Sequence, residues 1–115
     1  MEAKTIPELW ELIDQKLFEN QDPYQNLNAI YEFQITDQPE SVYQLEFDQG
    51  QAIIHSNSEK EPACILKLKE KHFTKFLTGD LNSTSAFMTG RLKVDGNIGL
   101  ALKLESMLKQ YDFSN

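Results

Sequence analysis

The side chains best suited to catalysis are few in this chain. Its 115 residues contain two histidines, His55 and His72, and one cysteine, Cys64. A cysteine beside a histidine can form a nucleophilic pair, because the imidazole takes the thiol proton. Cys64 falls within the apolar segment 63–68, where a free thiol usually packs as a small hydrophobic side chain. We expect Cys64 to be structural, and a small enzyme using Cys64 or a histidine is the least favoured alternative.

Paired acids, phosphate loops and metal sites are not indicated either. Glu32, Glu46 and Asp48 alternate with apolar residues, so they are predicted to point to water rather than to act as paired acids. The glycines within residues 90–99 lack the G-x-G-x-x-G spacing of a phosphate loop. One cysteine and two distant histidines match no structural metal spacing. The sequence therefore predicts no catalytic residue, no metal and no cofactor.

Charge is distributed unevenly along the chain. The formal net charge is −7, which disfavours binding to nucleic acid phosphates. Residues 1–59 hold twelve acidic and two basic side chains, whereas residues 60–109 hold five acidic and nine basic ones. A mixed solvated surface explains this division. The functional alternative is a second half that faces something anionic, such as lipid headgroups or a carboxylate.

The hydrophobic pattern predicts a single α+β domain over residues 1–115, with a mixed, mostly antiparallel sheet and helices on one face. No apolar run reaches the roughly 18 residues of a membrane span. Thr5, Pro7 and Glu8 predict a capped start for the first helix. The remaining pattern predicts strands near 29–36, 43–48, 52–56, 63–68 and 92–94, a turn at 37–40, and helices near 70–77, 83–88 and 98–111.

The last predicted helix has an unusually wide apolar face. Its main row and the neighbouring row comprise Leu100, Leu104, Met107, Tyr111, Ile98, Ala101, Leu102 and Leu108. A helix that only lies on a sheet needs an apolar stripe of about 100°. This helix is therefore expected to touch the sheet on one side and something apolar on the other: a helix, a partner chain or a ligand.

The C-terminal half resembles the sterol carrier protein type 2 family. The resemblance rests on FTKFLTG at 73–79, DLNSTSAFMTG at 80–90 and RLKVDGNIGLALKL at 91–104, of which 86–104 is the specific part. The upstream strands fit the family more loosely. The resemblance implies a five-stranded mixed sheet covered on one face by four to five helices, with an apolar tunnel between them. It also implies binding of a fatty acid, fatty acyl-CoA or other lipid, without catalytic residues.

Candidate tunnel residues are those whose alternation or helical position turns them toward the space between sheet and helices. We expect the lining to include Tyr31, Phe33, Ile35, Leu45, Phe47, Leu77, Phe87, Met88, Leu100, Leu104, Met107 and Leu108. Arg91 and Lys93 are candidate contacts for an anionic headgroup. An empty cavity of roughly 300 Å³ would cost about 7 kcal/mol, so side chains or a lipid must fill it.

The leading hypothesis is a cytoplasmic lipid carrier or reservoir with at most transient membrane contact. A lone cysteine favours a reducing compartment, and the final Phe113-Ser114-Asn115 differs from the Ser-Lys-Leu of peroxisomal proteins. The acidic first helix is not expected to dock on membranes. The alternative hypothesis is an interaction module or homodimer that buries the apolar face of the last helix and has no physiological lipid.

Overall fold

A computed structural model describes residues 5–38 and 41–113 as four α-helices and a five-stranded sheet. In chain order the elements are α1 (Ile6–Glu19), a 3₁₀ turn (Asp22–Tyr24), β1 (Ala29–Ile35), β2 (Val42–Asp48), β3 (Gln51–His55), β4 (Cys64–Leu68), α2 (Glu70–Thr78), α3 (Ser83–Met88), β5 (Leu92–Gly96) and α4 (Ile98–Leu108). The predicted α+β class is confirmed. The predicted turn at 37–40 and the C-terminal tripeptide lie partly outside the described residues.

The sheet is mixed, with strand order β3-β2-β1-β4-β5. The first three strands form an antiparallel meander, β4 pairs in parallel with β1, and β5 is antiparallel to β4. The register places Tyr31 opposite Leu45 on one side and opposite Cys64 on the other. Since side chains alternate along a strand, these three project from the same face. We call the helix-covered face the inner face and the opposite one the outer face.

The first helix begins as its sequence predicts. The Thr5 hydroxyl accepts a hydrogen bond from the Glu8 backbone N–H, and the Glu8 carboxylate accepts one from the Thr5 backbone N–H at 2.8 Å. This reciprocal capping box satisfies two backbone donors that the helix itself leaves unpaired. The predicted apolar stripe is buried and consists of Ile6, Leu9, Trp10, Ile13 and Leu17.

The last helix ends three residues earlier than its apolar pattern predicts. Helical structure stops at Leu108, and the N–H groups of Gln110 and Tyr111 bond to carbonyls three residues back. These tighter turns redirect the chain, so the Tyr111 hydroxyl donates to the Asn20 carbonyl at the end of α1. The apolar Tyr111 thus joins the two terminal helices instead of extending α4.

The start of α4 is fixed by a glycine. Gly96 has φ +93°, and a Cβ added there would lie 2.5 Å from the Ala63 carbonyl oxygen. Only glycine fits this close approach without strain. Asn97 follows and caps α4 by accepting from the Leu100 N–H. Within residues 5–38 and 41–113, no helix is long and apolar enough to cross a bilayer.

Candidate functional site

Nine of the twelve predicted lining residues lie in one buried apolar cluster between the sheet and the helices. The nine are Tyr31, Phe33, Ile35, Leu45, Phe47, Leu77, Leu104, Met107 and Leu108. Leu100 is half-buried and packs against the cluster. Alternation along β1 and β2 supplies one wall, and the buried row of α4 supplies the facing wall. The structure therefore brings together most of the predicted lining.

Aromatic rings fill the part of this interior that lies beneath α1. Trp10 stacks on Tyr43 with ring centroids 5.0 Å apart and on Phe73 at 5.5 Å, and meets Phe33 edge-on at 5.3 Å. Among residues 5–38 and 41–113, the buried Trp10 Nε1 has no hydrogen-bond partner. Trp10 and Phe73 were absent from the predicted lining, although their positions on apolar helix stripes were a signal that could have included them.

A partly buried hydrogen bond connects the sheet to α4. The Tyr31 hydroxyl donates to the Leu100 carbonyl oxygen at 2.9 Å. Burial raises the pKa of Tyr31 far above its usual value, so the hydroxyl remains a donor. The two residues are 69 positions apart, and no local pattern in the sequence predicts their contact. This bond sits where the predicted lining residues of β1 and α4 meet.

Phe87 and Met88 differ from the expectation that they turn inward. Both are exposed, and the six-residue α3 is anchored instead by the buried Ser83 and Ala86. Ser83 faces α4, since its backbone N–H donates to Glu105 Oε1 at 3.2 Å. With Ser83 and Ala86 facing the protein, Met88 must project outward and Phe87 lies at the rim of the helix.

Arg91 and Lys93 do not converge on one site. Lys93 stands directly opposite Lys67 in the β4–β5 register, on the outer face of the sheet. The Arg91 guanidinium instead donates to Thr89 Oγ1 at 2.9 Å, at the end of α3. The structure therefore gives the two cations separate surroundings and does not assemble the expected contacts for a headgroup.

The structure does not bring Cys64 and the histidines together. Cys64 is fully buried on the inner face, where burial raises its pKa to about 11, so the thiol stays protonated. His55 lies on the outer face, with its Nε2 2.9 Å from Glu46 Oε1. His72 lies on α2, where burial and then the charges of Lys71 and Arg91 lower its pKa. No Cys–His pair forms among these three residues.

The outer face carries a buried polar network that the sequence did not predict. Glu32 and Glu46 were expected in water but are 4% and 6% exposed. The Gln44 amide donates to Glu32 Oε1 at 2.9 Å and to the Lys60 carbonyl at 2.7 Å. The Lys60 ammonium pairs with Glu46 Oε2 at 2.9 Å. The segment between β3 and β4 folds over the strands and excludes water from these carboxylates.

Both carboxylates of this network are held in the ionised form. At Glu32, burial alone would raise the pKa, but hydrogen bonds from Gln34, Ser58 and Gln44 outweigh it and lower the pKa. Hydrogen bonds from His55 and Lys60 lower the pKa of Glu46. Satisfied charges of this kind hold a loop in place and leave little for a substrate to bind. Across the described residues, no three His, Cys, Asp or Glu side chains come near enough to hold a metal ion.

Comparisons with known proteins agree on one family. Residues 9–109 match the SCP-2 sterol transfer family. The chain is 31% identical over 102 residues to sterol carrier protein 2 of Homo sapiens, in an alignment that covers 85% of this chain and 19% of the human protein. The chain thus spans about a fifth of the length of the curated relatives it matches.

Two solved structures share the fold. Apo sterol carrier protein 2 from Yarrowia lipolytica matches with a TM-score of 0.74 at 22% identity, and the match covers 100% of both chains. Palmitated SCP2L2 from Aedes aegypti matches with a TM-score of 0.69 at 16% identity, over 91% of this chain and 95% of that one. Sequence match and fold agree over almost all of the described residues, and this chain belongs to the SCP-2 sterol transfer family.

Proposed function

We propose that this chain binds a long-chain acyl lipid, a fatty acid or fatty acyl-CoA, between the sheet and α4, as a non-enzymatic carrier or reservoir. The observation that carries the proposal is the apolar cluster shared by β1, β2 and α4 in a chain of this family. The structure of the Aedes protein, which is palmitated, supports the choice of an acyl ligand for this fold.

The acyl chain is assigned to the α4 side of the interior rather than to the α1 side. Rings of Trp10, Tyr43 and Phe73 occupy the space beneath α1 in direct contact. Flexible aliphatic side chains, including Leu104 and Met107, line α4 and can adopt new rotamers. A ligand can exchange places with such side chains at smaller cost than with stacked rings.

Burial of the chain supplies the affinity. Each methylene removed from water contributes about 0.8 kcal/mol, so the roughly 14 methylenes of palmitate contribute about 11 kcal/mol. Loss of translational freedom and ordering of the chain offset part of this gain. At the low end of that cost, about 4 kcal/mol, the remaining free energy of about 7 kcal/mol corresponds to a Kd of roughly 10 μM.

Several contacts support binding without catalysis. The only thiol, Cys64, is buried and protonated, and it lies on the face opposite His55. Glu32 and Glu46 are engaged by hydrogen bonds under the loop that covers them. The thiol on the inner face, Cys64, is protonated and therefore a poor nucleophile.

Native mass spectrometry of the purified chain, before and after extraction with organic solvent, tests the proposal. We expect mass adducts of fatty acid size that extraction removes, and added palmitate should then raise the thermal unfolding midpoint. Met107→Trp, which fills the α4 side, should abolish the palmitate effect, whereas Ile53→Trp on the outer face should not. An unliganded mass together with no palmitate stabilisation would overturn the proposal.

A further inference from the structure

We propose that α3 and α4 form a docking surface for anionic lipid bilayers. Four large apolar side chains of these two helices lie in solvent: Met88 is 79% exposed, Phe87 44%, Ile98 43% and Leu102 41%. We call these four residues the apolar docking surface. Single exposed apolar residues need no explanation, but four on two packed helices are a concentration typical of interaction sites.

Helical geometry directs Ile98, Leu102 and Phe87 to neighbouring surfaces, and Met88 projects outward from α3 next to Phe87 in sequence. Ile98, Leu102 and Glu105 are spaced at i, i+4 and i+7, so they share one side of α4. Glu105 on that side accepts the hydrogen bond from the Ser83 N–H of α3. Phe87 follows Ser83 by four residues and therefore shares its side of α3. The α4 row of Ile98, Leu102 and Glu105 thus adjoins the α3 row of Ser83 and Phe87. The two rows meet at the Ser83–Glu105 contact.

The charges around this surface are complementary to anionic headgroups. Between residues 81 and 104 the sequence holds three basic side chains, Arg91, Lys93 and Lys103, and one acidic side chain, Asp95. Arg91 and Lys103 are exposed beside α3 and on α4, whereas Lys93 and Asp95 project from the outer face of the sheet, where Asp95 forms an ion pair with Lys67 at 2.9 Å. Basic side chains at a membrane surface are attracted by the negative potential of anionic lipids.

The surface of α1 lacks this combination. Phe18 is 76% exposed, but Glu11 and Asp14 precede it by seven and four residues and occupy the same side of the helix. Glu19 and Asp22 follow it in sequence. Anionic headgroups would repel this side, so the apolar residue alone does not make α1 a membrane contact. Phe18 therefore provides a matched control.

Docking through α4 would place the bilayer on one side of the helix and the apolar interior on the other. Leu104 and Met107 point inward, whereas Ile98 and Leu102 point outward. A lipid that passes between the bilayer and the apolar interior would therefore have to cross only α4. Docking itself needs no bound lipid, so it stands or falls independently of the proposed function.

Co-sedimentation with lipid vesicles tests the docking surface on the full chain. Vesicles of phosphatidylcholine with roughly 30% phosphatidylserine should bind the protein at low ionic strength, and pure phosphatidylcholine vesicles should bind it much less. The double variant Met88→Ser/Leu102→Ser should lose about tenfold in vesicle affinity, while Phe18→Ser should bind as the unsubstituted chain does. Arg91→Gln/Lys103→Gln should weaken binding and reduce its salt dependence.

Two results would overturn the proposal. The first is equal binding of the Met88→Ser/Leu102→Ser and Phe18→Ser variants, both checked for native circular dichroism. The second is a dimer in sedimentation velocity that becomes a monomer in the double variant, because the surface would then be covered by a second copy of the chain. Palmitate binding, measured separately in each variant, reports on the interior and not on docking.

Discussion

The two faces of the central sheet exclude water by different means. On the inner face, apolar side chains such as Phe33 and Leu45 meet helices through contacts that have no fixed direction. On the outer face, Glu32, Gln44 and Glu46 are buried beneath residues 56–63 through directed hydrogen bonds. Apolar contacts can be exchanged for contacts with an acyl chain at little cost, whereas a satisfied polar network cannot. The difference identifies the inner face as the adaptable one.

This contrast leads to an expectation for each face that experiments can contradict. Substitutions on the inner face should change both stability and lipid binding, because the same side chains contribute to the core and to the proposed site. Substitutions on the outer face should change stability alone, since that network holds a loop and not a ligand. An inner-face substitution that leaves lipid binding unchanged, or an outer-face substitution that alters it, would show that the division between the faces is wrong.

Leu104→Ala should produce the largest change. Leu104 is fully buried on α4, and truncation of a buried leucine costs about 2–5 kcal/mol of unfolding free energy, because a cavity remains. If the acyl chain lies beside α4, palmitate should fill part of that cavity and stabilise the variant more than the unsubstituted chain. Urea denaturation with and without palmitate measures both effects.

The corresponding control is Leu17→Ala, since Leu17 is equally buried but belongs to the inward stripe of α1. It should cost a similar free energy of unfolding without an added gain from palmitate. Equal palmitate rescue of the two variants would place the ligand beneath α1 and contradict its assignment to the α4 side.

Gln44→Ala should produce the largest change on the outer face. The Gln44 amide donates to Glu32 and the Lys60 carbonyl and accepts from the N–H groups of Glu59 and Lys60. Leaving buried polar groups without partners costs about 1–3 kcal/mol. Urea denaturation should show this loss, and palmitate affinity should stay unchanged. A palmitate affinity that falls with stability would show that the two faces are coupled.

The same network should make stability depend on acid pH, with a smaller effect than Gln44→Ala. The pKa values of Glu32 and Glu46 are lowered in the folded chain, so their contribution is fully present above the unfolded pKa of about 4.3. It is lost as the pH falls through the lower, folded values. Urea midpoints between pH 6 and pH 3 should decline, and Glu46→Gln should flatten this decline. An equally steep decline in that variant would assign the effect to other carboxylates.

The sequence predicts the inner face better than the outer one. Alternation along β1 and β2 specifies which residues turn toward the helices, and Tyr31 and Leu45 lie there as expected. The same alternation assigns Glu32 and Glu46 to the opposite face, which is correct. Their burial depends on where residues 56–63 fold, and a polar segment without periodicity carries no signal for its path.

Short helices set a second limit on prediction from sequence. In α3 the sequence suggested that the large apolar Phe87 and Met88 would turn inward, but the small Ser83 and Ala86 are buried instead. Six residues make fewer than two turns, so periodicity does not determine which side is buried. The contacts of β5 and α4 decide it, and these are tertiary.

Tyr31→Phe should cause the smallest loss of stability but a change in lipid binding. The substitution removes the hydroxyl that donates to the Leu100 carbonyl and keeps the ring in the core. A single neutral hydrogen bond contributes about 0.5–1.5 kcal/mol, so the urea midpoint should shift little. An outer-face substitution that costs the same free energy of unfolding is expected to leave palmitate affinity unaltered.

On the inner face the expected result differs, because Tyr31 ties β1 to α4 across the proposed site. A ligand that enters between them must break this bond, and in Tyr31→Phe the bond is already absent. Palmitate should therefore bind about fivefold more tightly, which corresponds to about 1 kcal/mol. Isothermal titration of the delipidated variant measures this change. Unchanged affinity would mean that an acyl chain binds without separating α4 from β1, and the ligand would then have to be sought away from the Tyr31–Leu100 contact.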